Sequence, residues 1–406
     1  MNNKQEQTEL TELPELTKDV EFHDLNVPKK YEYLFNKEKF DKTKNIILVD
    51  TSYMIFHKFF ALRNWYNRAH PEKKLPDDYD WLTDEVFMTK YKKLFFESLV
   101  EMCKKRNTNI SNVVFTIDCK HVYIWRHKEQ VTYKATRKDS HTKSKFYSYK
   151  IFGIVIDKML PKIIERYGCT ILKHSECEAD DVVANCVLLL NKGTKYDDDK
   201  SISYNLEPIK KDTNIHTDNQ RKIYIVATDT DYIQICNRNV ILMNLRCDEL
   251  NSKYLTTHNN NSTYLMSKIL SGDISDNIQC CMIRKKFLEE KDYDMKKIYK
   301  NINKCAEDNN SDYIKCTKAI VGKLLANIGI YSYFNNLMEE GRKKKETLYI
   351  GDKEEDDKRE EIKKNGLCKA IKNDQFVRNL IMIDFRMLPD RLKNTLNLKI
   401  KAGLGI

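Results

Sequence analysis

The sequence predicts an α/β fold: a central, mainly parallel sheet flanked by helices, followed by a helical C-terminal region. Three observations carry this. Short apolar runs, such as IILV at 46–49 and VVFTI at 113–117, have the composition of parallel strands covered on both faces. Helical periodicities alternate with these runs, as in β–α–β units. Acidic residues follow the runs at Asp50, Asp118 and Asp229, and ligands of open parallel sheets bind outside the carboxyl ends of the strands.

The elements follow in order. Residues 1–44 are polar and charged, with few apolar positions in any period, and read as a flexible or loosely docked extension. The first strand begins at Asn45. A helix is expected near 84–105, where Phe87, Tyr91, Leu94, Phe95, Leu99 and Met102 recur at helical steps. Val113–Ile117 is the second strand, and residues 119–150 are basic and aromatic. A helix around 151–167 should lead to a short strand near Cys169–Leu172. Asp180–Leu190 reads as a buried helix with Val182, Val183, Cys186 and Leu190 on its apolar face. Residues 192–220 read as a polar surface insertion, and strands recur at Ile223–Ala227 and Val240–Leu245. Beyond Asp276 the pattern is helical. A run at 317–341 is followed by a charged stretch at 342–364 that looks solvated, and an apolar packing element returns at 376–390. The organisation is an extension (1–44), a sheet-bearing domain (45–250) and a helical region (251–406).

Composition narrows the function classes. The 71 Lys+Arg outnumber 60 Asp+Glu, for a net charge of +11, which favours a polyanionic partner. An Asn- and Lys-heavy coding bias, as in an AT-rich viral genome, accounts for the bulk excess equally well. The 12 cysteines form no CxxC pair and no zinc-type spacing with His, and no signal peptide precedes them. Free thiols in a reducing compartment are expected. No apolar run approaches the ~18 residues of a membrane span. A soluble, intracellular, monomeric protein is therefore expected.

Nine acids recur in five short clusters: Asp50; Asp118; Glu178, Asp180 and Asp181 in ECEADD; Asp229 and Asp231 in ATDTD; Asp273 and Asp276 in SGDISDN. Asp229 and Asp231 share a face of extended chain, while Glu178/Asp181 and Asp273/Asp276 lie about one helical turn apart. Singly, Asp180 and Asp181 read as helix-capping residues and Asp229–Asp231 as a turn. All five on one edge of one sheet is harder to explain by stability, because packed carboxylates raise one another's pKa. A divalent cation reverses that sign. Oxygen-only ligands select Mg²⁺ or Mn²⁺ over zinc, and two ions about 4 Å apart are the usual device for in-line attack on a phosphodiester. The chain reads as a metal-dependent nuclease with two Mg²⁺ ions, for which Mn²⁺ can substitute.

A second constellation is WRHKEQVTYKATRKDSHTKSKFYSYK (125–150). Its cations neutralise phosphates and its interleaved aromatics can stack on unpaired bases; alone, it reads equally as a solvated basic helix. It follows Asp118 directly, so Arg126, Lys128, Tyr133, Lys138, Lys143 and Lys145 become candidate nucleic-acid contacts. The segment is expected to form or flank an opening for single strands, either a closed arch or an open cleft.

These segments carry a resemblance. VDTSY (49–53), TID (116–118), TYKATR (132–137), ECEADD (176–181), ATDTDY (227–232), SGDISDN (271–277) and RNLIMIDF (378–385) resemble the flap endonuclease / 5′→3′ exonuclease superfamily of PIN-like nucleases. The wording MSKILSGD and NLIMIDF is most similar to the phage ribonuclease H branch. The resemblance covers roughly 45–400. It implies a PIN-like sheet, a C-terminal helical DNA-binding region and 5′-nuclease activity on flaps, 5′ ends or RNA–DNA hybrids in replication or repair, in company with replication proteins. It implies Asp50, Asp118, Glu178 and Asp180 as one metal set, Asp229, Asp231 and Asp273 as a second, and Asp181 and Asp276 as outer ligands reached through water. Lys134 and Arg137 match the residues that contact the scissile phosphate. The chain departs from the family where a glycine-rich helix–turn–helix normally grips the duplex, since no glycine occurs from Ile274 through Val321. Arg284, Lys285 and Lys286 are candidates for that task, or part of an ordinary solvated face. Two competing readings rank lower. A PIN-type endoribonuclease would lack the basic segment and the C-terminal region, and a nuclease-dead binding factor would have lost acids.

Overall fold

The computed structural model describes residues 34, 39–72, 75, 79–135, 148–192, 221–251, 261–291, 312–348, 370–371 and 374–406. Five strands form one parallel sheet: β1 (Ile46–Asp50), β2 (Val113–Ile117), β3 (Thr170–Lys173), β4 (Ile223–Val226) and β5 (Val240–Met243). Their order is β3-β2-β1-β4-β5. Leu48 lies level with Val114 on one side and Ile225 on the other. The chain builds outward from β1 to β3, then crosses back to β4, so strand order reverses beside β1. Such a reversal opens a crevice at the carboxyl ends of the strands.

The apolar runs are continuous because both faces are buried. Ile46, Leu48, Val114, Ile225 and Leu242 point into one core, and Ile47, Val49, Phe115, Val226 and Met243 into the other. The second core is roofed by α1 (Thr51–Ala69) and α2 (Glu85–Lys105), with α3 (Arg126–Glu129) at the sheet's carboxyl edge. Tyr91, Phe95 and Phe96 of α2 are almost fully buried there, each stabilising the fold by about 1.5–3 kcal/mol. A further helix starts as α4 (Ser148–Gly153), widens to a π-helix over Ile154–Met159 and ends as α5 (Leu160–Tyr167), where one regular helix over 151–167 was expected. α1 was not anticipated. It starts with no intervening loop after β1, and exposed Phe60 and Trp65 blur its buried stripe of Met54, Ile55, Phe59 and Leu62.

The opposite face carries α6 (Ala179–Asn191), α7 (Asn261–Ser271) and the C-terminal elements. Uniformly helical structure after Asp276 is corrected by the fold. β6 (Met282–Arg284) pairs antiparallel with β7 (Tyr313–Lys315), Ile283 opposite Ile314. Strands of three residues leave too short a pattern to read in sequence. Around them lie α8 (Lys285–Glu290), α9 (Lys318–Leu325), α10 (Ile328–Lys343), α11 (Lys345–Leu348), α12 (Gln375–Ile383) and α13 (Asp390–Leu404). One apolar cluster joins Leu48 of the sheet to Leu265, Phe334, Leu380 and Leu396, so packing runs straight through the expected division at 250/251. α13 returns to β3 so closely that a Cβ on Gly403 would stand 2.8 Å from Leu172. The charged stretch from 342 starts buried rather than solvated, because Arg342 binds the buried Asp384 at 2.6 Å. The extension through residue 33, the insertion over 193–220 and the rest of the charged stretch (349–369) lie outside the described residues. The described cysteines are free thiols, and no helix among the described residues is long and apolar enough to cross a membrane.

Candidate active site

The site grows from the ends of β1 and β2. Asp50 ends β1 and caps α1: one carboxylate oxygen accepts from Tyr53 N (3.0 Å), the other from the Tyr232 hydroxyl (3.1 Å). Asp118, one residue past β2, accepts from Ser52 Oγ (2.5 Å) and from Ala179 N (2.8 Å). These bonds tie β1, β2 and the start of α6 into one constellation. Burial, then the charge of Asp118, push the Asp50 carboxyl up to about 7.

ECEADD opens α6. Glu178 and Asp181 form a capping box there. Glu178 is buried, yet Lys134 and Arg126 outweigh the burial and hold its carboxyl at about 2. Asp180 behaves oppositely: burial and the neighbouring charges of Glu178 and Asp181 push it well above the ordinary range. One ligand atom each of Glu178, Asp180 and Asp181 lies within 4.8 Å of the others.

Asp181, which the resemblance implies as an outer metal ligand, is also a partner of the protein's own donors. Its side chain is wholly buried. One oxygen accepts from Arg126 (2.8 Å); the other accepts from Trp125 Nε1 (3.1 Å), Arg126 (3.0 Å) and Glu178 N (3.1 Å). Four hydrogen bonds from inside the protein hold this carboxylate in place. Arg126 and Tyr133, expected as nucleic-acid contacts, are instead buried. Arg126 is 1% exposed, binds Asp181 and Glu178, and donates from Nε to Met382 O of α12 (3.0 Å). It is an internal counterion, out of reach of nucleic acid. Tyr133 is 2% exposed and donates its hydroxyl to Glu178 (3.0 Å) and Asp276 (3.3 Å), so its ring offers no stacking face.

Lys134 sits at the middle of this network. Its Nζ is 2.5 Å from Glu178 Oε1 and 3.7 Å from Asp276 Oδ2. Its backbone adopts a left-handed φ of 55°, costly for a lysine, and its N–H is anchored on Asp276 O at 3.1 Å. Lys128 is exposed and paired with Glu176 (2.8 Å), which also binds Arg391 (2.7 Å). Arg137, Lys138, Lys143 and Lys145 lie outside the described residues. Arg284 and Lys286 are exposed and Lys285 half-buried, at the β6–α8 corner of the C-terminal region.

The second carboxylate group stands beyond β4. Asp229 is exposed and accepts from Asp231 N at 2.9 Å. Asp231 and Asp273 are bridged by Lys268 of α7, 2.9 Å from Asp273 Oδ2. Against the pull of burial, Lys268 and Ser275 hold the Asp273 carboxyl at about 2. Lys268, Tyr232 and Ser52 escaped sequence reasoning, although all three stand inside the recognised motifs. Gly272 sets the turn that presents Asp273. Its φ is +66°, and a Cβ there would meet the backbone of Ile278 and Gln279 at 2.5 Å. Gly272→Ala should therefore cost at least about 1–3 kcal/mol, read as a lowered urea midpoint; an unchanged midpoint would show that the turn relaxes freely.

The donor set fits a hard divalent ion. Asp50, Asp118, Glu178 and Asp180 offer only carboxylate oxygens, which suit Mg²⁺ or Mn²⁺. The upward shifts of Asp50 and Asp180 are those of carboxylates crowded without a cation. Residues 45–198 match the model of the family described as 5′-3′ exonuclease, N-terminal resolvase-like domain. The match covers the segment that carries β1 to β3 and α6. The parallel sheet with flanking helices is the fold expected from the sequence. The second carboxylate group lies beyond the matched 5′-3′ exonuclease segment. No curated protein matches the chain significantly. Among solved structures, T5 5′-exonuclease with bound zinc ions aligns at 12% identity over 89% of this chain and 100% of that chain, with a TM-score of 0.46. The bacteriophage T5 flap endonuclease in a pseudo-enzyme-product complex with DNA and metal ions aligns at 11% identity over 89% and 100%, with a TM-score of 0.44. Neither likeness bears on what this chain acts on.

Proposed function

We propose that this chain is a member of the 5′-3′ exonuclease family and a structure-specific 5′-nuclease, a 5′→3′ exonuclease or flap endonuclease that hydrolyses phosphodiesters in DNA with 5′ ends, flaps or RNA–DNA hybrids during replication or repair. The observation that carries the reading is the convergence of carboxylates from β1, β2, α6, the turn after β4 and the SGDISDN turn on the carboxyl edge of one sheet. Asp50, Asp118, Glu178 and Asp180 would hold one Mg²⁺ ion, and Asp229, Asp231 and Asp273 a second. Divalent ions held there activate water and neutralise charge on the phosphodiester.

The chain's own residues do the rest. Ser52, Ala179 N, Tyr53 N and Tyr232 fix the rotamers of Asp118 and Asp50, so the ligands are aimed before any ion arrives. Tyr133, whose hydroxyl burial and Glu178 keep protonated, donates to Glu178 and Asp276 and steadies both. Lys134 and Arg137 are placed by the motif to neutralise the phosphate charge that grows in the transition state. Lys128, Lys138, Lys143, Lys145 and the Arg284–Lys286 corner would track the nucleic-acid backbone.

Cleavage of an end-labelled 5′ flap should require Mg²⁺ or Mn²⁺, while Ca²⁺ supports binding without turnover. Flap, nicked and RNA–DNA hybrid substrates run in parallel would rank the substrates. Full turnover in excess EDTA would overturn the metal-dependent reading.

A further inference from the structure

The two carboxylate groups differ in how their charge is balanced. Among the described partners of Asp50 and Asp118 there is no cation: a tyrosine hydroxyl, a serine hydroxyl and two backbone N–H groups serve them. Asp231 and Asp273 instead share the ammonium of Lys268. That side chain is only 15% exposed. It is held in place because Leu265, Met266, Ile269 and Leu270 bury the other faces of α7. The same two carboxylates are those assigned above to a second divalent ion.

An ammonium and a divalent cation cannot share one pair of oxygens. At contact distance their mutual repulsion is large even in a protein-surface dielectric. This inference rests on the nuclease reading. We propose that Lys268 is a built-in counterion that holds Asp231 and Asp273 together in the metal-free protein and is displaced when a divalent ion loads there. Loading is then sequential. On the Asp50–Asp118 side the Lys134 ammonium holds Glu178 but neither Asp50 nor Asp118, so that side fills first, and the Asp231–Asp273 side, where both carboxylates carry Lys268, fills at higher ion concentration. Lys268 is a positioning residue whose charge sets the ion concentration at which the site is complete.

Mn²⁺ titration of the full-length chain without nucleic acid, followed by electron paramagnetic resonance, tests this. The wild type should show a tight and a weaker class of ions. Lys268→Met should tighten the weaker class by about tenfold or more, because a competing unit charge has gone. Lys268→Arg, which keeps the charge, should stay close to wild type. Amine-reactive footprinting of the wild type gives a second readout that needs no variant to fold. Lys268 should be shielded without metal and react once the weaker class is filled. Equal Mn²⁺ affinities in wild type and Lys268→Met, or unchanged Lys268 reactivity on loading, would overturn the counterion role and leave the nuclease reading standing. A wild type that binds no Mn²⁺ would overturn both.

Discussion

Asp118→Ala should reduce flap cleavage by more than about a hundredfold, since even groups one shell behind a metal ligand are worth 10–100-fold. Substrate binding should stay the same or tighten, because a negative charge leaves the phosphate path. The structure adds a control. Asp118 also accepts the Ala179 N–H at the start of α6, so the Ala variant loses that cap as well as the charge. Asp118→Asn retains an oxygen acceptor for that N–H, removes the charge and turns an amide NH2 toward the Ser52 hydroxyl. Single-turnover rates with Mg²⁺, beside anisotropy binding with Ca²⁺, separate the two roles. If Asp118→Asn cleaves at close to the wild-type rate, Asp118 holds α6 and no ion.

The acids were legible because carboxylates at strand ends have few other uses, and parallel pairing fixes where those ends meet. Asp50 and Asp118 fall together once Val49 is level with Phe115. The cations were harder to read. A basic residue in a basic run looks the same whether it faces a phosphate or a buried carboxylate, so Arg126 was placed on the surface. A signal was present: Arg126 follows the buried Ile124 and Trp125, and ECEADD packs four acids into six residues. Lys268 had a similar signal, a lone lysine in the apolar helix LMSKIL one turn before SGD. α1 was hidden because its first turn doubles as the motif VDTSY, and β6 and β7 are too short to show a period. What sequence could not supply, in each case, was which opposite charge lies across the fold.

Arg126→Met should destabilise the protein by about 3–5 kcal/mol, the usual cost of stranding a buried ion-pair partner. The guanidinium ties its own α3 to two other elements: Glu178 and Asp181 at the start of α6, and Met382 O of α12. Its loss leaves Asp181 facing only Trp125 and a backbone N–H, and frees α12 from the start of α6. The deficit should depend on pH, with a definite sign. In the wild type Glu178 is held at about 2 against an ordinary 4.5, so its contribution is complete above about pH 4.5 and fades as pH falls toward 2. Without Arg126, burial pulls the Glu178 carboxyl upward, the folded variant takes up a proton more readily, and acidification restores part of the lost stability. The gap between variant and wild type should therefore be widest near pH 8 and narrow toward pH 5 in urea unfolding. Pairing Arg126→Met with Asp181→Asn should recover part of the loss, because both charges then leave together. A single variant within about 0.5 kcal/mol of wild type, the range of ordinary surface substitutions, would return Arg126 to the nucleic-acid face.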